Sequence, residues 1–240
     1  MAHAPFLGAS PARVALWLAL VGAAYGFGAA LGASTVRTRA AERPEGDEVA
    51  PTPAVIWEDL CEGNRRFTRG ALAPRPVLAA RARLASGQQP RVAVLGCADS
   101  RVPPEIVFDK SLGDLFVVRT AGNVADAVAL GSLEYAVDHL HASVLVVLGH
   151  EKCGAVAAAE SGAKMPSPGL EAIVARIAPA LAKPGAAPAP KPNANIEANV
   201  RRSAESLLKE SPILDKAAKK GELTVIRALY QLESGEVVKL

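Results

Sequence analysis

The sequence predicts an α/β fold with a mainly parallel central sheet flanked by helices, preceded by a hydrophobic amino-terminal segment. Three observations carry that expectation. Arg91-Val-Ala-Val-Leu-Gly96 and Val144-Leu-Val-Val-Leu-Gly149 are short apolar, β-branched runs ending in glycine, the pattern of strands buried on both faces. Stretches of helical periodicity alternate with such runs, as crossovers between parallel strands require. Each run also leads directly into a reactive side chain, Cys97 after the first and His150 after the second. Open α/β sheets bind ligands at the carboxyl ends of their strands.

The elements follow in order. Residues 54 to 69 repeat apolar positions at helical spacing through Ile56, Leu60 and Phe67 and stop at Gly70; Val77 to Ser86 is a second helix ended by Gly87. After the strand 91–96, Pro103-Pro104 makes a turn that opens a short helix, and Leu115 to Arg119 is another strand. Val128 to Leu140 places Leu130, Leu133, Val137 and Leu140 on one helical stripe. The strand 144–148 leads to an alanine-rich helix from Gly154. Pro179 to Pro192 is low-complexity and reads as an exposed loop. A helix spans Asn195 to Glu210, and Ser211-Pro212 supplies an N-cap and a first-turn proline for the next, which ends near Lys219-Lys220-Gly221. Glu222 to Gln231 is a final long strand, and Ser234-Gly235 turns it back toward Val237-Val238.

The amino terminus is of a different character. Val14 to Ala33 is a run of twenty residues without a charge, following Arg13. It suits a secretory signal with a small-residue cleavage zone within Gly28 to Gly32, or a retained membrane anchor followed by Arg37, Arg39 and Arg43. Residues 1–35 are therefore expected to be a signal peptide or anchor, 36–53 a charged, proline-bearing linker, and 54–240 a single domain. Export to the periplasm or another extracytoplasmic space is the expected location, with membrane attachment through 14–33 the alternative. The 27 Lys and Arg nearly balance the 24 Asp and Glu, and aromatics make up only 4% of the chain. That composition offers neither the basic surface nor the stacking residues of a nucleic-acid binder.

The three cysteines are too few for a disulfide framework. Cys61 lies in an amphipathic helical stretch and is expected in the core. Cys97, His150 and Cys153 gather at the ends of two strands, giving two thiolates and one imidazole with a fourth position open. That is the donor pattern of a catalytic zinc rather than a closed structural site. Asp99 is the one nearby residue able to fill the fourth place.

These residues carry a resemblance. GCADSRVPPEIVFDKSLGDLFVVRTAGN, followed by GSLEYAVDHLHASVLVVLGHEKCGAV, resembles the β-class carbonic anhydrases, and the likeness extends from about residue 54 to the LESGEV near the carboxyl terminus. Cys-x-Asp-x-Arg followed by His-x-x-Cys after an apolar strand is specific to that family. The resemblance implies zinc at Cys97, His150 and Cys153, and a paired Asp99–Arg101 dyad that controls the open zinc position, with Asp99 the fourth ligand of a closed state. It also implies a substrate pocket with Gln88, Phe116, Ala121, Tyr135 and Gly154. Val94 stands where a bicarbonate-inhibited subgroup carries tryptophan. The implied reaction is the reversible hydration of carbon dioxide to bicarbonate and a proton by zinc-bound hydroxide. The implied assembly is a homodimer or higher homo-oligomer, in which residues 54–86 form an arm and Gln88, Phe116 and Tyr135 serve a neighbouring subunit. Carbonyl sulfide and carbon disulfide are linear analogues that the same chemistry could hydrolyse.

The chemistry itself sets two further expectations. Zinc lowers the pKa of bound water to roughly 7 in a three-histidine site. Two thiolates formally cancel the ion's charge, so activity here should rise toward alkaline pH. Arg101 can hold the Asp99 carboxylate with two parallel hydrogen bonds, orienting it toward the zinc.

Overall fold

The computed structural model describes residues 50–181 and 192–240. The hydrophobic run at 14–33, most of the linker and most of the proline-rich loop lie outside the described residues. No helix among the described residues is long and apolar enough to cross a membrane.

Five strands form one sheet: β1 (Val92–Cys97), β2 (Leu115–Thr120), β3 (Val144–His150), β4 (Thr224–Tyr230) and β5 (Val237–Lys239). Their spatial order is β2-β1-β3-β4-β5, with the first four parallel and β5 antiparallel to β4. The chain leaves β1 toward β2 on one side and returns to β3 on the other. That reversal opens a crevice between the carboxyl ends of β1 and β3, the place where doubly wound sheets hold their ligands. Both strands are buried at every residue, which is why their sequences are apolar throughout instead of alternating.

Helices cover both faces. On one, α1 (Pro53–Thr68) and the short α3 (Pro104–Val107) pack Ile56, Leu60, Val107 and Phe108 against Val94, Val146 and Ile226. On the other, α4 (Ala127–Asp138), α7 (Ala194–Glu210) and α8 (Pro212–Lys219) pack Leu133, Val200, Leu207 and Leu214 against Leu95, Leu145 and Val147. Each fully buried aliphatic side chain of this kind contributes roughly 1.5–3 kcal/mol. Between them α2 (Val77–Leu84) follows α1, while α5 (Gly154–Ser161) and α6 (Pro168–Ile177) form a smaller cluster around Val124, Val156 and Ile177 at the carboxyl end of the sheet.

Most expected elements appear within two residues of their sequence bounds. Two expectations change. Helix α6 is an addition to the expected elements, although Ser167 caps it through Leu170 N–H and Pro168 opens it, the same signature as at Ser211-Pro212. Cys61, expected in the core, is only partly buried, because Ile56 and Leu60 take the inward positions of α1.

Asp109 ties α1 and the segment after it to the end of α3. Asp109 is fully buried at its side chain, accepts hydrogen bonds from Arg66 Nε at 2.6 Å, Arg75 Nη2 at 2.8 Å and Ala73 N–H at 3.0 Å, and has a positive φ of 51°. Burial pushes its pKa up, but the bonds from Arg66, Ala73 and Arg75 outweigh burial and hold the carboxyl below its ordinary value. A lowered folded-state pKa gives stability that is present above the unfolded value, near about 3.9, and is lost as pH falls through the folded value. Urea unfolding between about pH 3 and pH 7 is therefore expected to show an acid limb that is shallower in Asp109→Asn; identical slopes in the two proteins would refute this assignment.

Candidate metal centre

Cys97 is the last residue of β1 and His150 the last of β3, so adjacent parallel strands deliver both to one crevice. The chain then turns through Glu151 and Lys152, the latter at φ 53°, and returns Cys153 as the N-cap of α5. The ligating atoms of Cys97, His150 and Cys153 all lie within 4.8 Å of one another, and all three residues are buried.

The electrostatics of that cluster suit a cation. The hydrogen bond between the two sulfurs holds the Cys97 thiol far below its usual range and, with burial, pushes Cys153 up. Two sulfurs this close cannot both carry charge without a positive partner. Backbone N–H groups nonetheless favour thiolate at both: those of Asp99 and Gly122 point to Cys97, and those of Val156 and Ala155, in the first turn of α5, point to Cys153. The imidazole is aimed as well. His150 Nδ1 donates to the Glu151 carbonyl at 2.8 Å, which leaves the Nε2 lone pair facing the sulfurs, buried and without a hydrogen-bond partner. Nitrogen and sulfur donors in this number fit zinc, with a fourth position left to a small molecule.

Asp99 stands beside the cluster, its Oδ2 3.8 Å from His150 Nε2. Arg101 grips it in the expected fork, Nε to Oδ1 at 2.9 Å and Nη2 to Oδ2 at 2.7 Å, and the Arg101 N–H adds a third bond to Oδ1 at 2.9 Å. Hydrogen bonding to Arg101 is the main reason the Asp99 carboxyl is held well below the usual carboxylate range. Asp99 is thus a fixed anion turned toward the metal donors.

The candidate substrate residues divide into two groups. Ala121 and Gly154 adjoin the cluster: Ala121 precedes Gly122, whose N–H donates to Cys97 Sγ at 3.3 Å, and Gly154 opens α5 directly after Cys153. Gln88, Phe116 and Tyr135 are not brought there within one chain. Phe116 pairs in register with Ala93, four residues before Cys97, which is about 13 Å along the strand. Tyr135 packs on Phe116 with ring centroids 6.2 Å apart, and Gln88 is exposed in the loop that enters β1. Tyr135 is also 45% exposed in the single chain.

Several residues that shape the centre carry no role in the sequence reading. Arg119, on β2 opposite Gly96, donates from Nε to the Cys97 carbonyl at 2.9 Å and from Nη2 to the Asp99 carbonyl, fixing the loop that carries the dyad. Asn199 on α7 donates to the Gly122 carbonyl at 2.9 Å and so holds the turn whose N–H meets Cys97. Helix α7 reaches that depth because Gly149 has no side chain: a Cβ there would lie 2.4 Å from Val200. A polar residue inside the apolar stripe of α7 is the available signal for Asn199; Arg119 gives none, being the ordinary end of a strand.

Comparison with known proteins agrees with this geometry. Residues 92–237 match the carbonic anhydrase family model. Carbonic anhydrase 2 of Mycobacterium tuberculosis is 39% identical over 190 residues, which cover 78% of this chain and 92% of that protein. The carbonic anhydrase of Mycolicibacterium smegmatis is 38% identical over 77% of this chain and 92% of its own length. Among solved structures, a Coccomyxa β-carbonic anhydrase in complex with acetazolamide aligns with a TM-score of 0.59 at 29% identity, covering 75% of this chain and 84% of that one. One of two tetrameric β-carbonic anhydrases from Sordaria macrospora aligns at 0.60 with 23% identity over 78% and 94% of the two chains, a likeness of fold.

The turn at Gly122 combines φ 70° with close packing, since a Cβ at that position would lie only 2.7 Å from Ile177. Gly122→Ala is therefore expected to lower stability by about 1–3 kcal/mol, through left-handed strain and overpacking together. Denaturant melts check this, and a midpoint equal to that of the wild type would count against it.

Proposed function

The chain belongs to the β-class carbonic anhydrase family and is a carbonic anhydrase acting on carbon dioxide and bicarbonate; from that premise we propose that Cys97, His150 and Cys153 hold zinc and that the Asp99–Arg101 dyad controls its open position. The observation that carries this reading is the buried Nε2 of His150, without a hydrogen-bond partner and gathered with two sulfurs in a cluster within 4.8 Å, with a charged carboxylate fixed 3.8 Å away. Zinc bound there supplies a nucleophilic oxygen near neutral pH, which carbon dioxide hydration needs.

The chain's own residues do the rest. Asp99 Oδ2 accepts a hydrogen bond from the attacking water and orients its lone pair toward the carbon of carbon dioxide. An acceptor that remains charged does this without itself taking the proton, and the Arg101 fork keeps Asp99 both charged and turned inward. If Arg101 released it, Asp99 would be free to occupy the fourth zinc position and close the site. Arg119 prevents the loop from relaxing by holding the Cys97 and Asp99 carbonyls. The N–H of Gly154, at the first position of α5, has no intrahelical partner and can receive a substrate oxygen.

We also propose that the active enzyme is a homodimer or larger homo-oligomer. Strand β2 is an edge of the sheet whose residues, Phe116 and Val118 among them, are only partly buried in the single chain. A second copy against that edge would cover them and could bring Gln88, Phe116 and Tyr135 toward its zinc. For residues 14–33 the reading remains an export signal, with a membrane anchor as the alternative.

Stopped-flow carbon dioxide hydration with zinc quantified in parallel tests the centre. Arg101→Ala is expected to lose activity by about a hundredfold or more while zinc content is unchanged, whereas Cys97→Ser is expected to lose both. Unchanged turnover in Arg101→Ala would remove the dyad from the mechanism. Wild-type activity is expected to rise from about pH 6 to about pH 9, as a two-thiolate donor set implies; a flat profile would contradict that.

A further inference from the structure

We infer that Glu151 is a positioning residue for the metal centre, fixing through its own carbonyl the angle at which His150 presents Nε2. This rests on the zinc reading of Cys97, His150 and Cys153 and assigns a device that holds one of those ligands.

All four polar groups of Glu151 are engaged, with the adjacent His150 ring, with the residue before α7, and twice with the end of β4 and the hairpin that follows it. Its carbonyl accepts the His150 Nδ1–H at 2.8 Å. Its N–H donates to the Tyr230 carbonyl at 3.1 Å, at the end of β4. Carboxylate Oε1 accepts from Asn193 Nδ2 at 2.7 Å, in the residue that precedes α7, and Oε2 accepts from the Leu232 N–H at 3.1 Å, in the β4–β5 hairpin. The next residue, Lys152, has φ 53°, a left-handed conformation that non-glycine residues rarely adopt and that persists only where its surroundings enforce it.

These contacts have one geometric consequence. The imidazole ring is set by a hydrogen bond to a peptide carbonyl, and that peptide belongs to the residue whose side chain is pinned on both sides. Rotation of the 151–152 peptide would turn the ring and swing Nε2 away from the sulfurs. The two carboxylate bonds resist that rotation, one to Asn193 just before α7 and one to the hairpin. A carboxylate suits the task because both its oxygens accept; a carboxamide would face one of the two donors with an NH2 group. The neighbouring Lys152–Glu233 pair differs in kind. It is exposed on both sides and ties the Lys152 side chain to the same hairpin without contacting the Glu151 carboxylate or the His150 ring.

The experiment uses the full chain. Zinc affinity is measured by competition with a chromophoric chelator, and the visible spectrum of the cobalt-substituted protein reports ligand geometry. Glu151→Ala is expected to bind zinc about 10–100-fold more weakly and to shift the cobalt ligand-field bands. Glu151→Gln, which keeps one accepted bond, is expected to fall between Ala and wild type. Asn193→Ala removes only the Oε1 donor and is expected to shift both readouts in the same direction by less, which keeps the test available if Glu151→Ala fails to fold. Glu233→Gln is the control and is expected to match wild type in both. Wild-type affinity and spectrum in Glu151→Gln and Asn193→Ala would overturn the positioning role, as would an equal loss in Glu233→Gln. A wild-type chain that takes up no zinc would instead defeat the reading of the site itself, before any variant is compared.

Discussion

Two sulfurs and an imidazole nitrogen gathered within 4.8 Å in a buried crevice form the constraint on which the rest of the molecule depends. Left to themselves the sulfurs would compete for one proton, and a dication is the partner that lets both act as donors. The fold answers this demand with backbone geometry. Parallel pairing of β1 and β3 sets Cys97 beside His150, the Gly122 N–H and the start of α5 favour negative sulfur, and Gly149 lets α7 approach closely enough to brace the Gly122 turn. All but one of these contributions come from the main chain or from the absence of a side chain; the exception is the buried Asn199 amide that holds the Gly122 carbonyl.

Charge is distributed around the centre by the same logic. Asp99 is, among the described residues, the anion turned toward the metal donors, and three bonds from Arg101 keep it from moving as a free carboxylate would. Asp109, an equally well-paired carboxylate, lies away from the metal donors and ties α1 to the segment after it through Arg66 and Arg75. Two similar Asp–Arg arrangements therefore serve separate ends. The first is partly open to solvent, with Arg101 half exposed, where a substrate can reach it, while the second is sealed at the carboxylate.

The strands and ligands are legible in the sequence because their signals are local. A strand buried on both faces writes itself as an unbroken apolar run, and Cys97, Asp99 and Arg101 lie within five residues of one another. Residues whose roles arise from contacts between distant segments are not legible in this way. Arg119 is 22 residues from the Cys97 carbonyl it holds, Asn199 is 77 from Gly122, and Glu151 is 81 from Leu232. No periodicity or short motif encodes such pairs. Helix α6 is obscured for a different reason: the proline-rich stretch after it draws the whole region toward a loop, although its own cap at Ser167 is readable. Gln88, Phe116 and Tyr135 remain assigned by family resemblance alone, since one chain leaves them far from the metal centre.

The tethering of Glu151 also bears on when the centre comes into being during synthesis. His150 and Cys153 are near neighbours in the chain, but Cys97 joins them only after β1 and β3 have paired across more than fifty residues. The two bonds to the Glu151 carboxylate come later still, from Asn193 and then from Leu232 in the last hairpin. A growing chain therefore holds all three donors before the hairpin that braces Glu151 has emerged and closed. If Glu151 positions His150 as proposed, the ligands assemble before their bracing is complete, and closure of the last hairpin is the step that would tighten their grip on an ion.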